Sequence, residues 1–198
     1  MARTIAKDHD LKRMHILKTA ARVFAQEGFD RASVSLLAKE CGISKANIYH
    51  YYSGKDALLF DVLETNLSQL LARIESVSLD GQSPEAAFET TLIEILLAYE
   101  GQDYEHQVQS QSLSSLPHQQ QVVLKGYQKQ MVGRVSDLLK SVRPATFESD
   151  PIKLNATVMS IFGMLNWFYM WNAEAGQSER RDYAQLVTRL TLNGVSGI

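Results

Sequence analysis

The sequence predicts an all-α fold: an N-terminal three-helix head containing a helix-turn-helix, then a larger helical body, about nine helices in all. Three observations lead there. Apolar residues recur at three- and four-residue spacing along most of the chain, no segment gives a strand signal, and the breaks fall on glycines and prolines in helix-stop and helix-start positions. At 198 residues, with 45% hydrophobic content, the chain is long enough to bury a real core. The expected boundary gives residues 1–55 to the head and 56–198 to the body, and neither an internal repeat nor a low-complexity linker lies between them.

The segment at residues 33–59, SVSLLAKECGISKANIYHYYSGKDALL, reads as two short helices around a glycine turn with a third helix directly after, the layout of a helix-turn-helix DNA reader. Val34, Leu37, Ala38 and Cys41 form an apolar stripe on a helix that Ser33 caps. Gly42 ends it, taking the left-handed conformation without steric penalty, and Ile43 turns inward as a plug. Ser44 starts the next helix. Within it Ile48 and Tyr52 face inward, while Lys45, Ala46, Asn47, Tyr49 and His50 take the outward and flanking faces. That outward side is short, polar and aromatic with one cation, unlike the Glu and Lys pairs of a solvated structural helix. Residues 53–56 fit a capping box for the third helix. Lys55, in its first turn, opposes the helix macrodipole, a placement that a nearby phosphate would explain.

Taken together, these residues resemble the DNA-binding domain of TetR-family, tetracycline-repressor-like, transcriptional regulators. The resemblance covers about residues 10–60: the run at 16–29 is similar to the family's first helix and its glycine stop, and the glycines, the capping serine, Tyr49-His50-Tyr51-Tyr52 and Lys55 agree in spacing. Ala46 departs from the pattern, standing where the family often has glycine, and its methyl changes how closely the helix sits in a groove. The resemblance implies double-stranded operator DNA as partner. Ser44, Asn47, Tyr49, His50, Tyr51 and Lys55 would then hold phosphates, Lys45, Ala46 and Tyr49 would touch base edges or thymine methyls, and Ser33 counts among the DNA-binding residues. The basic segment before Leu11, with Arg3 and Lys7, reads as a disordered tail in preference to a specific arm.

The body reads as helices in succession. A connector helix runs over residues 53–79. Ser83-Pro84 opens a helix to about Glu100 as cap and first-position proline, and a polar helix weakened by SQSLSSL follows at 103–115. Pro117 opens a long helix to about Val142, residues 144–149 form a linker, Asp150-Pro151 repeats the cap-and-proline start of a helix to about Trp171, and the last helix spans about 179–193. The final two carry more apolar surface than outermost helices of a monomer need. The resemblance implies a homodimer through them, with Ile161, Leu165, Phe168, Tyr183, Leu186 and Leu190 at the interface; the alternative is that both stripes face the internal core.

Phe88, Leu92, Tyr99, Tyr104, Gln109, Tyr127, Met131, Asn166, Trp167 and Met170 offer the mostly apolar, sparsely polar lining that a small-molecule effector needs, although such residues are more often plain core. Asn166 lies in an apolar run where an unpaired amide would cost about 1–3 kcal/mol, so it should meet a ligand or a neighbouring helix. The run at 163–171 is similar to regulators of this type that respond to acyl-CoA thioesters; the guest's phosphates would seek Arg134, Lys125 or Lys129, and a compact lipophilic drug is the alternative effector. The expected device is a repressor released from a palindromic operator by its effector, the runner-up an effector-free nucleoid protein. Activation of transcription stays open.

Charge supports the head as the DNA-facing part: residues 1–60 hold ten Lys or Arg against six Asp or Glu, and the rest ten against sixteen. Nothing in the sequence matches a nucleophile elbow, a zinc-protease helix, a P-loop or a Rossmann glycine pattern, and His106, His118 and Glu105 do not make a metal set, so neither catalysis nor a cofactor is expected. A single cysteine allows no internal disulfide, and Cys41, on the buried stripe, reads as core ahead of a redox sensor. No apolar run approaches a membrane span and the first ten residues lack a signal-peptide core, which makes the cytoplasm the expected location and a membrane partner unexpected.

Overall fold

The structure, a computed structural model, describes residues 2–195, with side chains from His9 onward. Among the described residues it contains helices and no strand: α1 (Ala2–Glu27), α2 (Val34–Glu40), α3 (Lys45–Tyr51), α4 (Lys55–Glu75), α5 (Pro84–Ala98), α6 (Asp103–Ser112), a 3-10 turn (Leu113–Ser115), α7 (His118–Val142), α8 (Pro144–Phe147), α9 (Pro151–Trp171) and α10 (Gln177–Asn193).

Side-chain caps set four of the starts. Ser33 Oγ accepts from the Leu36 N–H at 3.1 Å, Ser44 Oγ from Asn47 at 3.2 Å, Ser83 Oγ from Ala86 at 3.2 Å and Asp150 Oδ1 from Lys153 at 2.9 Å, each satisfying a donor that the first helical turn leaves open. Gly42 closes α2 with φ +67°, a conformation that side chains with a Cβ rarely adopt.

Several boundaries differ from expectation. The segment before Leu11 is the beginning of α1 and not a tail; the side chains of Arg3 and Lys7 lie outside the described residues. The first bond of α4 runs from the Leu58 N–H to the Gly54 carbonyl at 3.2 Å, so the cap falls on Gly54 in place of Ser53. The weak helix former at the end of α6 tightens into the 3-10 turn. The expected linker at 144–149 holds the one-turn α8, because Pro144 presets a first helical residue and buried Phe147 anchors the turn.

The chain packs as two compact units, one of residues 1–67 with 104–124 and one of residues 68–103 with 125–198. Residues 56–67 and 104–124, which the expected boundary gives to the body, pack within the first of these units. In the first unit Leu58, Leu59, Leu63 and Leu67 of α4 are buried together with Ile16, Phe24, Leu37 and Ile48. Returning chain is held to α1 by polar contacts: Lys18 Nζ pairs with Glu105 at 3.0 Å, and Gln107 Nε2 donates to the Ala25 carbonyl at 3.0 Å.

In the second unit α10 packs along α5 and against α9. The buried stripe of α9 is Leu154, Val158, Ile161, Leu165 and Phe168, and α10 contributes Ala184 and Val187. Between them lies Arg180, 1% exposed. Its Nε donates to the Ala175 carbonyl at 3.1 Å and its Nη1 to the Leu96 carbonyl at 3.5 Å, and its guanidinium sits 5.5 Å from the centre of the Phe168 ring. A cation near the carbonyl end of α5 is favoured by the helix dipole, and the aromatic face adds a second favourable contact. Arg180→Ala should lower the stability of the protein by about 3 kcal/mol, through a cavity and two carbonyls deprived of a donor. Urea unfolding followed by circular dichroism measures it, and Arg180→Lys should recover only part of the loss because one ammonium does not span both carbonyls.

Candidate nucleic-acid interface

Helix α3 has seven residues, and of these only Ile48 is buried. Lys45, Ala46, Asn47, Tyr49 and His50 are exposed, as the spacing predicts, and Tyr51 is half-buried. The Tyr49 ring is 51% exposed, with the Lys45 ammonium 5.8 Å from its centre. The result is a cation and a flat aromatic ring standing side by side beyond the surface. The small Ala46 lies between positions able to approach another surface closely. His50 meets Tyr51 edge-on at 5.4 Å, and His9 of α1 lies 4.7 Å from the same Tyr51 ring.

Behind α3, a cleft of about 470 Å³ is lined by Leu11, Lys12, His15 and Ile16 of α1, Ile43 of the turn, and Asn47, His50 and Tyr51. His15 Nε2 lies 3.2 Å from the Cys41 carbonyl, which ties α1 to the turn. Sequence reasoning missed His9, Lys12 and His15 as neighbours of the reading face. A signal existed: His9, Lys12 and Ile16 keep the three- and four-residue spacing of α1, which continues back through the segment expected to be disordered.

Lys55 is placed differently from expectation. Its ammonium donates to the Phe29 carbonyl at 2.9 Å and the Asp30 carbonyl at 3.1 Å, and lies 4.5 Å from the centre of the Phe29 ring. These carbonyls follow the end of α1, where acceptors outnumber donors. The cation therefore closes the α1–α2 turn, and no phosphate is needed to account for it. Other cations of the head are similarly engaged. Arg13 pairs with Asp61, Lys18 with Glu105, Arg22 with Glu40 at 2.9 Å, and Arg31 Nε donates to the Glu27 carbonyl at 2.7 Å. With Lys55, that accounts for five of the ten basic residues counted in this part, so raw charge overstates the field that reaches outward.

Ser33 and Ser44 act as caps through their hydroxyls, as described. Cys41 is 7% exposed, and burial pushes its thiol above the ordinary range, which keeps it in the unreactive protonated form.

The residues expected to line an effector site divide between the two units. Phe88, Leu92, Tyr99 and Met131 are buried and Tyr127 half-buried in the second unit, whereas Tyr104 and Gln109 belong to the first. Trp167 and Met170 are 61% and 53% exposed. Asn166 meets a neighbouring helix: its Oδ1 accepts from the buried Tyr99 hydroxyl at 2.7 Å. On α9 the residues expected at a subunit interface and those expected at an effector site lie on opposite sides. Ile161, Leu165 and Phe168, assigned to a subunit interface, point into the unit's own core, while Met159, Trp167, Met170 and Trp171 on the opposite side are exposed. Both groups have helical spacing, and Tyr183 of α10 touches both, since Trp171 meets its ring edge-on at 5.2 Å. Tyr183, Leu186 and Leu190 are half-buried, and Tyr183 stacks on Phe168 at 4.7 Å. A second groove, of about 460 Å³, lies between the end of α4 and α7; Leu71, Gln130 and Arg134 are in its wall, and Arg134 Nε is buried with no hydrogen-bond partner among the described residues.

Comparison with known proteins bears on both units. Residues 16–62 match the model for bacterial regulatory proteins of the tetR family, and residues 81–195 match the model for the tetracyclin repressor-like C-terminal domain. The HTH-type transcriptional regulator YuxN of Bacillus subtilis is 39% identical over 77 residues, 39% of this chain; the match spans about a quarter of YuxN, 26% of its length. The crystal structure of a TetR-family transcriptional regulator from Bordetella parapertussis superposes with a TM-score of 0.87 at 30% identity over 94% of this chain and 96% of that one. The transcriptional regulator FadR from Bacillus subtilis, solved in complex with stearoyl-CoA, shares the fold with a TM-score of 0.70 at 17% identity over 92% of this chain and 98% of that one. An outward-facing Lys45–His50 surface on a capped two-turn helix, matched over both units by these models and structures, identifies the chain as a member of the TetR family of DNA-binding transcriptional regulators.

Proposed function

We propose that the protein is a homodimeric repressor that binds a palindromic operator through α3 and leaves it when a small-molecule effector, an acyl-CoA thioester, occupies the helical body. The observation that carries the reading is the outward face of α3. Tyr49 and Lys45 project from a helix with a single buried residue, a combination suited to base edges and phosphates and costly to leave bare for structural reasons alone. Two such helices set about 34 Å apart would enter successive major grooves.

Support for a second copy comes from α9. Met159, Trp167, Met170 and Trp171 form an exposed apolar and aromatic side, the composition that self-complementary interfaces bury. Support for a thioester comes from the stearoyl-CoA held by the related FadR fold, and from the α4–α7 groove, whose wall includes the cation Arg134. An effector acts only through unequal affinity for the two states, and about 1–3 kcal/mol of coupling is ordinary.

Three outcomes are expected. Tyr49→Ala should lose selective operator binding by about 10- to 100-fold while remaining dimeric, as measured by fluorescence anisotropy on the DNA upstream of its own gene and by light scattering; wild-type affinity would remove α3 from the interface. Met170→Glu should give a monomer in light scattering with unchanged helix content, since a carboxylate would be desolvated at the centre of the apolar side; an intact dimer would move the interface elsewhere. Among CoA thioesters, free acids and lipophilic cations, a thioester should raise the melting temperature and release DNA; stabilisation by the cations alone would assign a drug-type effector.

A further inference from the structure

The first unit contains a half-buried polar junction that joins three helices at one carboxylate. Asp61, in the second turn of α4, has a side chain 16% exposed. Its Oδ2 accepts from the Tyr52 hydroxyl at 2.6 Å and from Arg13 Nε at 3.0 Å. Its Oδ1 takes the second arm of the Arg13 fork through Nη2, and Thr65 Oγ1 lies 3.3 Å away. Arg13 Nη2 also reaches Thr65 Oγ1 at 3.2 Å. Four groups thus surround one carboxylate, and the bidentate arginine fixes its plane.

Tyr52 is the residue that ends α3, extended at φ −136° and ψ 133°, with its own N–H still bonded to the Ile48 carbonyl. Its ring is 7% exposed. A helix of seven residues is about 10 Å long, and α3 contributes one buried side chain, so its direction depends on how its two ends are held. Ser44 fixes the start by a bond internal to the helix. At the other end, the Tyr52 hydroxyl is bonded to a different helix.

We propose that Asp61 is the positioning residue of the reading helix: through the 2.6 Å bond from the Tyr52 hydroxyl it sets the tilt of α3. Burial and the adjacent carboxylate push the Tyr52 phenol upward, so that it remains a donor at neutral pH. This inference rests on α3 being the DNA-reading helix, and the experiment separates the two.

The test uses the full-length protein and a duplex selected by the wild type from a random pool, with scrambled duplex as the nonspecific reference. Tyr52→Phe removes one hydroxyl and keeps the ring; Asp61→Asn keeps the shape and removes the charge. Each should lower affinity for the selected duplex at least tenfold and leave affinity for scrambled duplex within twofold, at a temperature where circular dichroism shows full folding. The double variant should be no worse than the weaker-binding single one, because both act on the same Tyr52–Asp61 contact, one by deleting the donor and the other by weakening the acceptor. A purely structural junction would instead lower the melting temperature and weaken selected and scrambled duplexes alike, and that result overturns the proposal. If Tyr49→Ala loses selectivity and Tyr52→Phe does not, the junction is excluded and α3 keeps its role. Should neither variant lose it, or the wild type select no sequence, the reading of α3 itself falls and the junction with it.

Discussion

A two-turn helix cannot hold its own direction in water. Helix nucleation is unfavourable, and seven residues make too few internal bonds to offset it, so α3 owes its existence to what surrounds it. Ile48 below, the Ser44 hydroxyl at the start and the Tyr52 side chain at the end supply that support. The rest of the first unit is arranged to keep those three points fixed. α2 packs on α3 across the Gly42 turn, α1 passes behind both, and the first half of α4 closes the core with Leu58, Leu59 and Leu63. An exposed face that carries no stabilising contacts of its own can then be composed for recognition alone.

The carbonyl end of α1 is the second constraint. Helix ends leave acceptors without donors, and this one is met from several directions: Gly28 N–H reaches the Phe24 carbonyl, Gln107 the Ala25 carbonyl, Arg31 the Glu27 carbonyl, and Lys55 the Phe29 and Asp30 carbonyls just beyond. Such a site collects cations for reasons of folding. That is why basic residues are dense in this part of the sequence without all of them facing outward, and why Arg180 repeats the pattern near the end of α5.

Much of this was legible in the sequence. The order of helices, the serine and aspartate caps, the proline starts, the left-handed glycine and the outward set on α3 all depend on local chemistry, and local chemistry is what spacing records. Three things were not legible, and each depends on a partner distant in sequence. Lys55 was read from its position in α4, whereas the groups that hold it are 25 and 26 residues earlier. On α9 the periodicity marks two stripes of comparable apolarity, and only the tertiary packing shows which one is inside. Local spacing does not single out Asp61; that Arg13 and Tyr52 converge on it is a property of the tertiary arrangement. Asn166 is an intermediate case: the residue itself is exposed, and it is the buried Tyr99 hydroxyl that takes its Oδ1 as acceptor.

The burial of Cys41 has a practical consequence. It is the chain's one sulfhydryl, enclosed at the end of α2 with its thiol held protonated. Maleimide chemistry can therefore be directed to any cysteine engineered on the outside without first removing the native one. Spin labels or dyes mounted in this way on α3 would report on that helix while the interior stays chemically unaltered.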